Sequence, residues 1–561
     1  MIPTTTNTVT PADGKTVKVV MGCVVVLIII ISISYFSGHS GNDNITAPAP
    51  AAVELQTLNV LSAAIMLKQK AVNWGLRLNS LFTAAPAARP QTGHLSETFY
   101  LSGKKFERGS IVPYRTYLPP GAEQQSGLAV YVMLEASPEI LPAMDDFIAE
   151  KIMPPGLFLL VNPGQLPASS PDGFPRGMRA EEFDQNGREF ADFLVEELIP
   201  DAASRTGAQL SDSPDMHFIT GGSSGGNCAW NAVWYRNDYF RRTFLSSPTF
   251  SAMRGGEEPM VLLRKTESRP IRIYLTVGTL EPDYYFGSSF YAACNAAKAF
   301  KFAGYRCHFE LVKDGGHCAL REDRDMLRRV MTFLWQDWQT EPVTVESRQI
   351  RIKNILSENS QWSDFNGDWP SHSEVRTESG VYSCDGGRIL LRRPNAESPE
   401  VVADGFGHLA ALALSSDRWR LYAADTTRRF VYALSIKPNG ELDEIYKLAP
   451  LHLAHDCREI GALDLCVAAD DRVYAATELG IQGIVSFGLT DLILPLPNDL
   501  PADRVALGID GDRQSWLYAA SGDKKFRRPV KIGPAKAGQT TPPSSPEYGD
   551  DFDYSIPHLP Q

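Results

Sequence analysis

The sequence predicts an α/β unit over residues 95–340, a mainly parallel sheet with helices on both faces, followed by an all-β, propeller-like half over residues 345–532. Three observations lead there. Between residues 128 and 338, apolar runs of strand length alternate with stretches of helical spacing, the signature of strand–helix–strand units. Near Thr340 that texture stops, and short β-like runs separated by Asp, Gly and Asn turns begin. The composition supports two cores, since 43% of the 561 residues are hydrophobic and 21% charged.

The elements follow in order. Leu128 to Leu134 and Gly156 to Val161 are continuous apolar runs and read as buried strands. Glu189 to Ile199 carries an apolar face at helical spacing. Met216 to Thr220 reads as a strand, Asn227 to Tyr235 as a helix and Ile271 to Val277 as a strand. Ser289 to Phe302 is a helix, Cys307 to Val312 a strand and Asp323 to Trp338 a helix. In the second half, Arg420 to Ala423, Phe430 to Ile436, Arg472 to Ala476 and Ile481 to Phe487 read as short strands. Residues 533–561 are rich in Pro, Ser and Asp with little apolar content, and read as a disordered tail.

Ahead of these lies a run from Val19 to Phe36, VVMGCVVVLIIIISISYF, long enough to cross a bilayer core as a helix. Lys15 and Lys18 precede it and no Lys or Arg follows before Asn44. The positive-inside tendency then leaves residues 1–18 in the cytoplasm and puts the rest outside. The expectation is a single-pass anchor in a bacterial inner membrane with periplasmic catalytic mass, the alternative being secretion after signal cleavage. Residues 37–94 join anchor to sheet, with apolar residues at helical spacing from Leu55 to Leu78 that suggest a stalk helix.

The net charge of −12, without a basic stripe, excludes nucleic acid as a partner. Eight cysteines are scattered singly with no CxxC, which argues against a zinc ribbon or redox motif. Cys294 with Cys307, and Cys457 with Cys466, are spaced for local disulfides in an oxidising compartment, and buried free thiols are the other reading.

The chemistry gathers at Gly221-Gly222-Ser223-Ser224-Gly225-Gly226, which follows one predicted strand and precedes a helix. That is the context of a nucleophile elbow, where glycines relieve a strained turn. Ser223 stands nearest the strand and is the expected nucleophile, with the Ser224 N–H in the oxyanion hole. In an α/β hydrolase the acid and the His follow in that chain order. Glu281 and Asp283 lie just past the strand ending at Val277, Glu281 being preferred, and His317 lies on a Gly-rich loop after the next strand. His317 would take the proton of Ser223 and return it to the leaving group. Glu135 or Ala136, after the strand ending at Leu134, would offer a second oxyanion N–H. No step needs a cofactor or a metal.

These residues resemble the enterochelin-esterase-like branch of the α/β hydrolases, on the strength of Gly221 to Gly226, Gly278 to Pro282, Gly315 to His317 and Val112-Pro113-Tyr114-Arg115-Thr116-Tyr117-Leu118-Pro119-Pro120. The resemblance spans residues 95–340 and implies a serine esterase acting on a small-molecule ester of siderophore, sugar or feruloyl type. It departs at Leu134-Glu135-Ala136, where that family often has Gln-Asp-Gly. The second half resembles gluconolactonase and senescence-marker-protein propellers, through Leu412 to Asp417 with Leu421 to Thr426, and through Leu465 to Ala476. It is shorter than a full six-bladed ring. The resemblance implies a divalent metal held by an Asn and an Asp, but Ala410 and Leu463 stand at those places, with Asp464 one residue off. Side chains of Ala and Leu supply no oxygen ligand, so a degenerate propeller without metal is expected. The function expected is an extracytoplasmic carboxylic-ester hydrolase. A sugar lactonase centred on the propeller and a non-catalytic polymer-binding protein are the alternatives.

Overall fold

The computed structural model describes residues 93–104, 109–370, 375–455 and 457–535. The expected anchor at 19–36 and the stalk helix lie outside the described residues. No described helix is long and apolar enough to cross a membrane. The described residues all belong to one compact unit, Ile65–Gln561.

Seven long strands carry the first half: β1 Ile111–Leu118, β2 Ser126–Leu134, β3 Gly156–Val161, β4 His217–Gly222, β5 Arg242–Ser246, β6 Arg272–Gly278 and β7 Arg306–Val312. They lie in the order β7-β6-β5-β4-β2-β3-β1. All neighbours run parallel except β1, which pairs antiparallel with β3. Successive side chains of a strand point to opposite faces, and β2 divides accordingly. Val130, Val132 and Leu134 join one core, while Ala129, Tyr131 and Met133 join the other. β2 and β3, buried on both faces along their apolar lengths, read as continuous apolar runs rather than alternating ones.

Four longer helices cover the sheet: α1 Leu141–Ala149, α2 Ser224–Tyr235, α3 Ser289–Ala303 and α4 Arg324–Leu334. Trp230 of α2 packs on Phe300 of α3 in the first core, with ring centres 5.0 Å apart. Met144 and Phe147 of α1 share the second core with Val330 and Leu334 of α4. Asp323 caps α4 by accepting from the N–H groups of Asp325 and Met326, satisfying two donors of its first turn. The helix expected over Glu189 to Ile199 continues to Thr206, through a π turn at Leu194–Leu198. Pro200 does not stop it, because its missing N–H falls where the π turn has already interrupted the regular ladder.

The second half is all-β, built from four four-stranded antiparallel sheets. Three use consecutive strands, spanning Arg376 to Ala403, Leu409 to Pro450 and Asp464 to Leu494. The fourth contains Arg504–Ile509, Ser515–Ser521 and Lys524–Val530, and is completed by Ser363–Asp364 from the start of this half. Separate apolar clusters fill the spaces between the first and second, second and third, and third and fourth sheets. Residues at the start of the expected tail are still held: Ala469 N–H donates to the Gly533 carbonyl, and Pro534 bridges to Ala468.

The two halves meet through the segment after the helix Glu258–Leu262. Lys265 donates to the Thr490 carbonyl at 2.6 Å and to His452 Nε2 at 2.8 Å. Glu267 accepts a two-pronged pair from Arg528 at 2.6 and 2.8 Å, and Arg269 makes the same kind of pair with Asp499.

Neither local disulfide is present among the described residues. Cys294, Cys307 and Cys466 are free thiols in the structure. Cys307 is on β7 and Cys294 on α3, elements that pack side by side but whose cysteines remain unbridged.

Candidate active site

In a parallel sheet every strand delivers its carboxyl end to the same edge, and the crevice there is where such sheets do chemistry. β4 sits between β2 and β5, so its end lies in the middle of that edge. Ser223 follows β4 directly and precedes α2, with φ 57° and ψ −126°. Few non-glycine residues adopt a positive φ, and strain of this kind persists only where the surroundings impose it. Here they do. A side chain at Gly221 would lie 2.2 Å from the Gly225 carbonyl oxygen, and one at Gly226 would lie 2.9 Å from Pro248. Gly225 has ordinary room for a Cβ, with Leu134 at 3.5 Å, so the crowding at this turn falls on Gly221 and Gly226 and not on Gly225.

Strand β6 ends two places out from β4, beyond β5, and its loop carries Glu281. That side chain is fully shielded from solvent, and its Oε2 lies 2.7 Å from His317 Nδ1. Asp283 is exposed, on a two-residue strand of a small hairpin, away from the imidazole's hydrogen bond. The preference for Glu281 therefore matches the geometry. His317 arrives from the loop after β7, which is bound tightly to the end of β6. Leu280 N–H donates to the Gly315 carbonyl at 2.8 Å, and Asp314 N–H to Thr279 Oγ1 at 2.8 Å. A Cβ at Gly278 would stand 2.2 Å from that same Gly315 oxygen, so glycine is needed at this crossing.

Ser223 and the base loop share a neighbour. The Ser246 carbonyl, at the end of β5, accepts from Ser223 N–H at 3.0 Å and from the Cys318 thiol at 3.4 Å. The Ser223 hydroxyl lies 3.5 Å from Thr249 Oγ1. Burial pulls the pKa of His317 down, but Cys318 and Glu281 outweigh it and raise the imidazole from 6.5 to about 10. The Glu281 carboxylate beside Nδ1 favours the charged imidazole.

The oxyanion side corrects one expectation. Glu135 N–H is spent on the Val161 carbonyl at 2.8 Å, in continuation of the β2–β3 ladder, so it is not free to donate to a substrate. Ala136 N–H makes no such bond among the described residues and is the remaining donor on this loop. Ser224 opens α2, where the first N–H groups of a helix have no internal partner. The Glu135 side chain has another task. It holds Arg179 in a two-pronged pair at 2.7 and 2.8 Å, and Arg179 donates on to Ser224 Oγ at 2.6 Å. That bond leaves the Ser224 hydroxyl engaged and Ser223 as the serine at the strained position.

Arg179, Thr249 and Ser247, which contacts Glu281, escaped the sequence reading. Only Glu135 hinted at them. A charge at the end of a buried strand requires a counterion, but nothing in the sequence says that the counterion is Arg179.

The metal position of the second half does not fit a metal. Leu463 is apolar and Ala410 offers no donor, while Asp464 accepts backbone N–H bonds from Leu465 and Val505 with its two carboxylate oxygens. Among the described residues no group of three or more His, Cys, Asp or Glu is placed to hold one. Leu463 instead lines a cleft of about 510 Å³ between the halves, together with Trp234, Arg269 and Glu478. Neither Ser223, Glu281 nor His317 reaches that cleft.

No family model matches the chain, and no curated protein matches it. Solved structures do show likenesses, the following at low identity. A ferulic acid esterase is 18% identical over 43% of this chain and 98% of its own, with a TM-score of 0.35. Enterochelin esterase from Shigella flexneri is 20% identical over 45% of this chain and 60% of its own, with a TM-score of 0.35. The feruloyl esterase module from Clostridium thermocellum, as an S954A mutant complexed with sinapinate, is 14% identical over 45% of this chain and 92% of its own, with a TM-score of 0.31.

Proposed function

We propose that the chain is a serine hydrolase of carboxylic esters. The observation that carries this reading is the Glu281–His317 hydrogen bond of 2.7 Å, on loops beside a serine held at φ 57° at the head of a helix. Ser223 attacks the ester carbonyl as His317 takes its proton. Glu281 holds Nδ1–H, so that Nε2 is the basic nitrogen, and stabilises the imidazolium that forms. The carbonyl oxygen becomes an oxyanion facing the N–H groups of Ser224 and Ala136. His317 then gives its proton to the departing alcohol, leaving Ser223 acylated. Water, activated by the same imidazole, releases the acid and restores the serine.

The second half is read as a degenerate, incomplete propeller. Four sheets that meet face to face, the last completed by the first strand, support that reading. The chain is further proposed to be anchored by residues 19–36 with both halves outside the cytoplasm, on the support of Lys15 and Lys18 before the apolar run.

Covalent labelling tests the catalytic reading. A fluorophosphonate should modify Ser223, located by peptide mapping. Ser223→Ala should abolish both labelling and hydrolysis of short p-nitrophenyl esters, while Ser224→Ala should keep part of each. Label on Ser224 with an active Ser223→Ala variant would put the nucleophile one residue along.

A further inference from the structure

Ser247 lies one residue beyond β5 and takes no part in the proton transfers just described. It is 1% exposed and has φ 42°, an uncommon conformation for a residue with a Cβ. Its N–H is fixed to the Thr276 carbonyl of β6 at 2.8 Å. Its hydroxyl donates to Glu281 Oε1 and accepts from the Cys318 N–H at 3.1 Å. The two oxygens of Glu281 are therefore divided, Oε2 to His317 and Oε1 to Ser247. One hydroxyl ties the acid to the backbone of the residue that follows the base.

We propose that Ser247 is a positioning residue of this site, a fourth member that fixes Glu281 against His317 through its hydroxyl. The inference rests on the serine-hydrolase reading above. A carboxylate with one bonded oxygen can rotate about its last torsion, which is broad and roughly two-fold. Binding the second oxygen removes that freedom and keeps Oε2 on Nδ1. The same hydroxyl answers a second need. Glu281 is fully shielded, and a buried carboxylate oxygen without a donor is costly. The positive φ has a matching reason. It turns the Cβ of Ser247 back towards the loops after β6 and β7, where an extended residue would carry the hydroxyl onward with the chain.

The test is kinetic, on the full chain. Ser247→Ala should lower kcat about 10- to 100-fold, the worth of a hydrogen bond to a charged group, with KM nearly unchanged. The acidic limb of its kcat/KM profile should move down towards pH 6.5, because His317 loses part of its hold on the proton. Ser247→Thr should restore most of the rate. In a Glu281→Gln background, Ser247→Ala should cost little more, since the group it positions is already neutral. Rates are taken per site titrated with fluorophosphonate, so misfolded protein drops out. Full kcat per titrated site in Ser247→Ala, or an additive double variant, overturns the proposal while leaving the hydrolase reading intact. Failure of both Ser223 and Ser224 to label in the unaltered protein overturns the hydrolase reading itself.

Discussion

At the scale of single residues, the catalytic reading depends on which carboxylate faces His317. Glu281 is shielded and bonded to Nδ1, whereas Asp283 is exposed. Glu281→Gln should therefore cut kcat/KM by several orders of magnitude. The comparable change in a serine-protease triad costs about ten-thousand-fold, because the wrong tautomer is held. Asp283→Asn should stay within a few-fold of the unaltered protein. The pH dependence follows from the same contact. The base works only when neutral, and its folded pKa is raised above 6.5, so activity should appear as pH rises through a value above 6.5. Removing the charge of Glu281 removes part of that shift, and the residual activity should appear at lower pH. Small and equal losses for both variants would mean that the acid comes from elsewhere, with Asp314 the next to test. Ser223, His317 and Glu281 could be picked out as candidates in the sequence because strand ends show there as apolar runs that stop at glycine. Ser247 was not, since a serine after a strand is common and its φ is invisible until the chain is folded. The choice between Glu135 and Ala136 stayed open because the sequence does not reveal that the β2–β3 ladder runs on to take the Glu135 N–H.

At the scale of elements, the contact between the halves is sensitive to acid. His452 is half-buried against the Lys265 ammonium and near Arg429, and its pKa is lowered from 6.5 to about 4, first by burial and then by those cations. A neutral His452 accepts from Lys265; a protonated one repels it. The folded state thus binds fewer protons than the unfolded one between pH 6.5 and 4, and stability rises with pH across that window. The contribution is complete above pH 6.5 and is lost as pH falls towards 4. It amounts to about 1–2 kcal/mol, after allowance for screening at a half-buried site. Thermal melts at pH 7 and pH 4.5 should show a smaller drop in Tm for His452→Gln than for the unaltered protein, because Gln still accepts from Lys265 but does not titrate. Equal drops would place the acid sensitivity elsewhere. The helix α1 and the strand β5, whose short apolar centre is bracketed by Arg242 and Ser246, were not legible in the sequence, whereas the other three long helices and several strands were legible from periodicity. Their ends shifted where local chemistry intervened: at Ser224, where α2 begins three residues early on the elbow itself, and at Pro200, which a π turn accommodates. The contacts of Lys265, Glu267 and Arg269 link residues more than 180 positions apart, and no local pattern encodes such pairs.

At the scale of the whole molecule, the proposed anchor fixes where the chemistry takes place. Alkaline phosphatase fused behind Gln561 should be active in a bacterial host, and a cytoplasmic reporter at the same point should be silent. The opposite pattern would sink the external placement. What the sequence determined by itself was local and one-dimensional: the change of texture near Thr340, the buried apolar strands such as β2 and β3, and the order of the candidate serine, acid and histidine along the chain. Those follow from hydrophobic periodicity and glycine turns, which act over a few residues. What only the tertiary structure decided was which strand ends are neighbours. The order β7-β6-β5-β4-β2 places the loops carrying His317, Glu281, Ser247, Ser223 and Ala136 side by side on one edge. It also sets Glu281 rather than Asp283 against the imidazole, and exhausts the N–H of Glu135. Each is a matter of register and burial between strands distant in sequence, and those are settled only when the sheet closes its hydrogen bonds and buries both faces.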